Sequence, residues 1–279
     1  FSYSITTVGG CGSVTLNGGV TLTSGTTPNF NPILPMCTGS TVSPLPNTSL
    51  EGITGTWSPA FNNTTTTTYT FTPDNGQCAV STQLTVTIYP VPVVIASSAM
   101  SSFCSGGTTS ISLSSNVPNA VFSWTVTGAN ITGASGGSGN SINQTLNVSP
   151  NTTTTVALTY TIFAEANGCV GPATQVQILV SPIPNVNIVH NNLPICSGAT
   201  TAISFTSSIS GTQFNWIVLN AAGVTGATNG SGNEIIQTLT TTGLSSGSVT
   251  YQVTPVLNGC PGNPELVTVT VNPKPSIFT

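Results

Sequence analysis

The sequence predicts an all-β protein in which tandem β-sandwich domains form an elongated array. Short alternating runs rich in β-branched residues recur between Gly, Asn and Pro turns, and helix signals are almost absent along the 279 residues. The chain is 38% hydrophobic, whereas disordered chains combine low hydrophobicity with high net charge. It therefore has enough apolar material for several small cores, and internal repeats divide that material into units.

Four sequence marks occur three times in the same order. Each unit opens with a cysteine in a turn of small residues, and a tryptophan follows that cysteine by 20 residues. A tyrosine then precedes a second cysteine by nine residues, and an alternating strand ends the unit at a Pro-x-Pro. The marks are Cys37, Trp57, Tyr69 and Cys78, then Cys104, Trp124, Tyr160 and Cys169, then Cys196, Trp216, Tyr251 and Cys260.

The marks also predict where the domains begin and end. Residues 1–27 match the C-terminal part of a preceding repeat, so we expect the chain to begin within a domain. A short repeat at 28–90 is followed by longer repeats at 91–182 and 183–274, and residues 275–279 begin the next linker. The longer repeats gain a stretch rich in Gly, Ser and Asn between Trp and Tyr, which predicts an extra hairpin. These stretches are 128–141 and 220–233.

Alternation of apolar and polar residues predicts the strands and the core of each repeat. In the second repeat Phe122, Trp124 and Val126 share one face, which is typical of a half-buried strand. The strands predicted for this repeat are 93–96, 108–114, 120–127, 142–148, 155–164 and 173–180. The repeated aromatic residues are predicted to be core, and the tyrosines to be tyrosine corners. They are Trp57, Trp124, Trp216, Tyr69, Tyr160 and Tyr251.

Composition excludes most functional classes. The chain has one basic and five acidic residues, whereas charged residues make up about a quarter of an ordinary protein. Lys274 is the single Lys or Arg, so nucleic-acid binding and a polybasic membrane patch are both excluded. No apolar run approaches the roughly 18 residues that a membrane span needs, and no membrane insertion is predicted.

Titratable residues are too few to indicate a catalytic or metal site. His190 is the only histidine and is expected at the surface near a proline-bounded junction. The acids stand singly, so no carboxylate pair and no calcium loop can be read from them. They are Glu51, Asp74, Glu165, Glu234 and Glu265. We predict no catalytic residue, no cofactor and no metal ligand.

The outward positions of the predicted strands carry Thr, Ser, Asn and Gln. Charged side chains normally protect exposed strand edges from pairing, so their scarcity predicts either covered edges or lateral self-association. The neutral polar surface also makes a surface polysaccharide a candidate partner. Pro-x-Pro junctions favour extended geometry, which predicts a semi-rigid rod whose partners include the neighbouring repeats of the same polypeptide.

The seven cysteines predict disulfides formed in an oxidising compartment, because they recur in pairs without Cys-x-x-Cys spacing. One scheme pairs them within repeats, as Cys37–Cys78, Cys104–Cys169 and Cys196–Cys260. A staggered scheme joins neighbouring repeats, as Cys37–Cys169 and Cys104–Cys260. Cys11 is predicted to be unpaired in this segment.

Strand direction raises an objection to pairing within repeats. In an immunoglobulin-like Greek key the strands after Cys104 and Tyr160 run the same way, which places Cys104 and Cys169 at opposite poles of the sandwich. Strands of six residues separate the poles by about 20 Å, whereas a disulfide needs Cα atoms within about 7 Å. Both schemes stay open at this stage.

Several motifs carry a resemblance to known families. The Cys-x-Gly turn, Gly-Thr56-Trp-Ser-Pro and Tyr-Thr-Phe-Thr-Pro73 through Gly-Gln-Cys78 resemble the short Ig-like repeats of large surface proteins of Bacteroidetes. The two longer units, with Gln144-Thr-Leu or Gln237-Thr-Leu and Asn-Gly-Cys, resemble the PKD-like repeats of the same proteins. The resemblance implies tandem immunoglobulin-like and PKD-like sandwiches in a cell-surface adhesin. It also implies export by the type IX secretion system, as for gliding-motility adhesins.

We consider three functions for such a chain. The first is a structural stalk at the cell surface, which gives mechanical reach for attachment. The second is a glycan-binding module, which exposed coplanar aromatic rings would favour and burial of the tryptophans would disfavour. The third is an enzyme, which needs a convergent set of titratable groups that this sequence hardly supplies. We predict the stalk, with glycan binding as the alternative and an extracellular, cell-surface location.

Overall fold

The structure is a computed structural model that describes residues 10–15, 19–41, 43–190 and 194–275, with the backbone alone before Ser24. Every regular element in these ranges is a β-strand, which confirms the all-β prediction. None of these residues belongs to a helix that could span a membrane. The chain divides into two compact units. Unit 1 comprises Phe1–Ile95, Ser114–Phe122 and Phe163–Ala173, and unit 2 comprises Ala96–Leu113, Ser123–Ile162 and Thr174–Thr279.

The strands are short and closely spaced, as expected where turns recur every few residues. Those before residue 90 are β1 (Gly10–Thr15), β2 (Gly19–Ser24), β3 (Met36–Cys37), β4 (Gly55–Ser58), β5 (Thr67–Pro73), β6 (Thr82–Val86) and β7 (Ile88–Tyr89). Those of the second repeat are β8 (Val94–Ser98), β9 (Ser102–Cys104), β10 (Ile111–Ser115), β11 (Val121–Thr127), β12 (Ile131–Thr132), β13 (Gly137–Ser138), β14 (Ser141–Ile142), β15 (Asn147–Val148), β16 (Val156–Ala166), β17 (Cys169–Val170) and β18 (Thr174–Ser181).

The third repeat follows the same order. Its strands are β19 (Asn187–His190), β20 (Ile195–Cys196), β21 (Ala199–Thr200), β22 (Ile203–Thr206), β23 (Gln213–Ala222), β24 (Val224–Thr225), β25 (Gly230–Ser231), β26 (Glu234–Ile235), β27 (Thr238–Thr241), β28 (Gly247–Leu257), β29 (Cys260–Pro261) and β30 (Glu265–Asn272).

Unit 1 contains the first repeat, where β4, β5 and β6 form an antiparallel sheet and β3 pairs in parallel with β7. The β1–β2 pair is antiparallel. Alternation along β5 buries Tyr69 and Phe71 completely, because successive residues of a strand face opposite sides. Tyr69 packs with Leu45, Val86 and Ile88 in one core. Trp57 is half-buried beside that core, with its ring centroid 4.7 Å from Phe30 and 5.1 Å from Phe71.

Unit 2 contains the third repeat, whose largest sheet has the order β20-β30-β28-β23-β25, with β29 pairing β28. Smaller sheets have the orders β19-β22-β26 and β21-β27-β24. The inward side chains of these sheets form one continuous core. Its fully buried members are Ile203, Ile235, Leu239, Val249, Tyr251, Val253, Val269 and Val271.

The second repeat repeats this pairing within unit 2. There β16 pairs antiparallel with β18, β9 runs parallel to the end of β18, and β13 pairs with β11. The corresponding third-repeat pairs are β28 with β30, β20 with β30, and β25 with β23. The sequence repeat is therefore also a repeat of strand pairing.

Two local predictions for the second repeat are wrong. Residues 142–148 do not form one strand, because Ile142 in β14 pairs with Ile111 of β10 whereas Val148 in β15 pairs with Ile131 of β12. The stretch 128–141 is not a hairpin, since β12 pairs with β15 and β13 pairs with β11. In both cases the segment does contain strands, but they pair with strands outside the predicted element.

Candidate functional site

The repeated aromatic residues lie mainly inside the domains. Tyr69, Tyr160 and Tyr251 are fully buried, and Trp124 and Trp216 are 7% exposed. The indole nitrogens still find acceptors, since Trp124 Nε1 donates to the carbonyl of Ser135 and Trp216 Nε1 to that of Thr228, both at 3.2 Å. Buried rings of this kind leave no open face on which a sugar could stack.

A glutamine connects each long-repeat tyrosine to the loop beneath the tryptophan. Tyr251 donates its hydroxyl hydrogen to Gln237 Oε1 at 2.8 Å, and the same oxygen accepts from the backbone N–H of Thr228 at 3.0 Å. Gln237 Nε2 donates to the Thr228 carbonyl at 2.8 Å. The second repeat has the same network through Tyr160, Gln144 and Ser135. This Tyr–Gln network fixes a loop of small residues over the core.

The network corrects the prediction that Tyr160 and Tyr251 are tyrosine corners. In a tyrosine corner the hydroxyl bonds to the backbone a few residues upstream. Of the three tyrosines only Tyr69 does so: its hydroxyl lies 3.2 Å from the backbone carbonyl oxygen and 2.8 Å from the backbone nitrogen of Asn62. Sequence reasoning missed the role of the glutamines. The available signal was a polar residue between two apolar ones on an inward face, as in Ile142, Gln144 and Leu146.

Two disulfides join residues far apart in the sequence. Cys37 bonds Cys169 with Cα atoms 5.6 Å apart, across a sequence separation of 132 residues. Cys104 bonds Cys260 with Cα atoms 5.5 Å apart, across 156 residues. Each bond connects the first cysteine of one sequence repeat to the second cysteine of the next, which is the staggered arrangement. The first bond lies within unit 1 and the second within unit 2.

Pairing within repeats, as Cys37–Cys78, Cys104–Cys169 and Cys196–Cys260, is therefore wrong. The third repeat shows the physical reason. Cys196 pairs with Asn272 at the end of β30, whereas Cys260 pairs with Leu257 at the far end of β28. Because Gly247 at the start of β28 pairs with Val271, the two cysteines are about ten strand residues apart, or roughly 30 Å. No disulfide can span that distance.

The remaining cysteines differ in state. Cys196 is a free, exposed thiol, and Cys78 is disulfide-bonded. The prediction that Cys11 is unpaired concerns a side chain outside the described part of the structure.

The second cysteine is presented by a tight hairpin. Asn258 and Gly259 have φ values of 49° and 81°, and Leu257 pairs directly with Cys260. Two central residues with positive φ define the type I′ turn that Asn-Gly favours, because Asn and Gly tolerate the left-handed region. The hairpin of Asn167, Gly168 and Cys169 has the same geometry. The dipeptide Asn-Gly before a cysteine could therefore have predicted this hairpin from the sequence.

We call the surroundings of the Cys104–Cys260 bond the junction clamp, which consists of Cys104, Thr155, Asn258, Cys260 and Gly262. Asn258 Nδ2 donates to Thr155 Oγ1 at 3.2 Å, so the hairpin touches the second repeat beside the disulfide. Cys260 is 2% exposed and Cys104 is half-buried. The clamp thus holds the third-repeat hairpin against the second repeat by one covalent and one hydrogen bond.

Glycine is required next to the hairpin because of a close backbone approach. A β-carbon at Gly262 would collide with the carbonyl oxygen of Pro184, which belongs to the linker before the third repeat. Gly171 lies in the same way against Pro92 in the preceding linker. The hairpin therefore packs on the Pro-x-Pro segment and helps to fix the start of its own repeat.

The acidic, basic and imidazole side chains of the described ranges are exposed at the surface. Within the described ranges there is no group of three His, Cys, Asp or Glu that could hold a metal ion. His190 is exposed and shares a shallow groove with Glu265. Glu51 binds the Asn29 backbone amide at 2.9 Å, the Asn29 side chain at 2.8 Å and Ser49 Oγ at 2.8 Å. These hydrogen bonds lower the pKa of Glu51 to about 2, and the bond from the Asn29 backbone N–H contributes most.

Comparison with known proteins identifies the longer repeats. A family model described as a PKD-like domain matches residues 101–184 and again residues 194–275. No curated protein sequence gives a significant match.

The chain is also similar to several solved structures. The Escherichia coli adhesin FdeC is 18% identical, with 74% of each chain covered and a TM-score of 0.41. The N-terminal eight Ig domains of Down Syndrome Cell Adhesion Molecule are 12% identical, with 76% of this chain and 28% of that one covered and a TM-score of 0.40. Yersinia pseudotuberculosis adhesin InvE is 14% identical, with 65% of this chain and 58% of that one covered and a TM-score of 0.27.

The two matches to the family model fall on the two long repeats recognised from their cysteines and aromatic residues, and together they cover more than half of the residues. Both copies have the Tyr–Gln network and the Asn-Gly-Cys hairpin. This chain belongs to the PKD-like domain family.

Proposed function

We propose that this chain is a structural stalk segment of a large secreted cell-surface adhesin, and that it gives mechanical reach for surface attachment. The observation that carries the proposal is the pair of disulfides that link successive sequence repeats, Cys37–Cys169 and Cys104–Cys260. Covalent links between repeats resist separation under load. Disulfides form and persist in oxidising compartments, which supports an extracellular, cell-surface location.

The proposed stalk consists of a short Ig-like repeat at 28–90 and PKD-like repeats at 91–182 and 183–274, with residues 1–27 completing a preceding repeat. Its proposed partners are the neighbouring repeats, with lateral self-association through neutral strand edges and a surface polysaccharide as further candidates. The gliding-motility type, type IX secretion and a source among the Bacteroidetes rest on the sequence resemblance alone.

The alternative function, a glycan-binding module, receives less support. It needs aromatic rings exposed on a common surface, whereas Trp124 and Trp216 are buried and Trp57 packs against Phe30 and Phe71. Membership of the PKD-like family supports a structural role over a catalytic one.

Domain replacement in the intact surface protein separates the two functions. Residues 28–274 are exchanged for three unrelated β-sandwich domains of similar length, or deleted. A stalk predicts that the distance between an epitope placed before residue 28 and one placed after residue 275 decreases on deletion and returns on replacement, as measured by immunogold labelling. Cell attachment should decrease and return with that distance. Attachment that is lost in the replacement while the distance between the epitopes is kept would support glycan binding and overturn the proposal.

A further inference from the structure

The third repeat carries a copy of the surface that receives the hairpin in the second repeat. In the second repeat this surface surrounds Cys104, which lies on β9 next to Ser181 of β18. In the third repeat Cys196 lies on β20 next to Asn272 of β30 in the same parallel pairing. Cys104 forms a disulfide with Cys260, whereas Cys196 is free and exposed.

The local hydrogen bonds show that the two surfaces are built alike. The residue after each cysteine donates its backbone N–H to a carbonyl of the last strand of the repeat. Ser105 donates to the Ser181 carbonyl at 2.8 Å, and Ser197 donates to the Asn272 carbonyl at 2.7 Å. Each of these serines also accepts a backbone hydrogen bond, from Val148 at 2.9 Å and from Thr241 at 3.0 Å respectively. Cys196 is therefore held in the same backbone setting as Cys104.

The acceptor side of the polar contact in the junction clamp also recurs in the third repeat. Thr155, whose hydroxyl accepts from the hairpin residue Asn258, is itself 3.0 Å from Ser181 Oγ. In the third repeat Ser246 occupies the position of Thr155 and donates its hydroxyl hydrogen to Asn272 Oδ1 at 2.9 Å. An acceptor for an incoming asparagine side chain is thus already oriented beside Cys196.

We propose that the surface formed by Cys196, Ser246 and Asn272 is the docking site for the Asn-Gly-Cys hairpin of a further PKD-like repeat. The occupant is defined by the two observed cases, since Cys37 and Cys104 each bond the cysteine that follows an Asn-Gly turn. The hairpin asparagine would donate to Ser246 Oγ, and its cysteine would bond Cys196.

The covalent step is an oxidation. The Cys196 thiol and the hairpin thiol each lose a proton and together give up two electrons, and one S–S bond forms between them. The electrons reduce an oxidant of the disulfide class, whose S–S bond breaks to give two thiols. Docking of the hairpin and closure of the bond are independent of what the stalk attaches to, so this proposal can fail while the proposed function holds, and the reverse.

The proposal is tested by joining a second copy of residues 185–275 to Pro275 of the chain, so that Asn185 of the copy follows Pro275 as it follows Pro184 in the native sequence. The added copy carries Cys196→Ser, so that it contributes one cysteine, the equivalent of Cys260. After oxidation in a glutathione buffer, Cys196 of the native copy should change from full alkylation by iodoacetamide to less than a tenth. A disulfide-linked peptide should join it to an Asn-Gly-Cys hairpin, while Cys104 stays bonded to the native Cys260.

The matched control has Cys260→Ser in the added copy, and in it Cys196 should remain fully alkylated. Persistent alkylation of Cys196 in the extended chain with an intact Cys104–Cys260 bond would overturn the proposal. Where the extended chain does not keep that bond, the native chain is mixed instead with a Cys104→Ser, Cys196→Ser chain, whose Cys260 hairpin is free. A Cys196–Cys260 heterodimer on a non-reducing gel is then expected, and its absence also contradicts the proposal.

Discussion

Gly262 lies where the backbone of the third-repeat hairpin meets the linker that begins the repeat. It is buried, its amide donates to the carbonyl of Pro255 at 2.8 Å, and its α-carbon faces the Pro184 carbonyl. Any side chain here would push apart two rigid backbone segments. The sequence showed a glycine two residues after a cysteine, but nothing in it indicated the approach of a proline 78 positions earlier.

Replacing Gly262 by alanine should lower the free energy of unfolding by about 1–3 kcal/mol, the usual cost of forcing extra atoms into a packed site. Formation of the Cys104–Cys260 disulfide should also become less complete. Gly243→Ala is the control, because a β-carbon there meets no neighbour within 4 Å. Equal urea midpoints for the two variants would show that the approach to Pro184 does not matter.

Tyr251 should make the third repeat sensitive to alkali. Burial raises the pKa of its phenol from 10.0 to about 12, so the folded state holds the proton more tightly than the unfolded state does. This contribution is fully present below pH 10 and is lost as the pH rises from 10 towards 12, by about 1–2 kcal/mol in total, since solvent screens the partly buried hydroxyl. Burial raises the pKa of Tyr160 in the same direction.

The measurement is the free energy of unfolding in urea between pH 9 and pH 11.5. The native chain should lose stability across this range, and Tyr251→Phe should have a lower stability at pH 9 but a shallower decline. The same slope in both proteins would contradict the assignment to Tyr251.

Elements were predictable where the pattern is local and unpredictable where the partner is distant. The alternation of Phe122 and Trp124 predicted β11 correctly, and both side chains are buried. The alternation through Ile142 and Val148 looked equally regular, yet the two residues pair with different strands. The two-residue alternation of apolar and polar residues indicates which face of the sheet a side chain lies on, but it does not indicate which strand pairs with it.

The Tyr–Gln network should stabilise the loop over each long-repeat core. Gln237→Met keeps similar volume but removes the acceptor of the buried Tyr251 hydroxyl and the three hydrogen bonds with Thr228. We expect a loss of about 1–3 kcal/mol, the cost of leaving a buried polar group without a partner. Unfolding in urea, followed by tryptophan fluorescence, measures this loss.

A double-mutant cycle with Tyr251→Phe makes that test specific. The two changes together should cost clearly less than the sum of their separate costs, because each removes the same hydrogen bond. Gln213→Met, at an exposed strand position, should have little effect. Strict additivity of Gln237→Met and Tyr251→Phe would show that the bond contributes nothing.

At the scale of the whole molecule, the disulfides Cys37–Cys169 and Cys104–Cys260 interleave, because the chain segments that they close overlap in sequence. The cysteine spacing alone was compatible with two schemes. What decides between them is strand direction, since β20 and β30 run parallel and put Cys196 at the opposite end of the sheet from Cys260. The sequence predicted the cysteine repeat and an argument against pairing within repeats, but the disulfide partners were established only by the three-dimensional fold.

Interleaving shortens the path along which force is carried. The covalent route from Cys37 to Cys260 through these two bonds uses about 65 residues, or about 220 Å when fully extended. Without them the route is about 220 residues, or about 750 Å. A stalk that works by mechanical reach would use this difference to stay short under load.

Single-molecule stretching of the chain from its two ends measures this directly. The chain is pulled to full extension once oxidised and once in the presence of a thiol reductant that reaches the unfolded state. We expect the extension between Cys37 and Cys260 not to exceed about 220 Å when oxidised and to increase by at least about 500 Å after reduction. The same final extension in both conditions would contradict covalent linkage between repeats as the basis of the stalk.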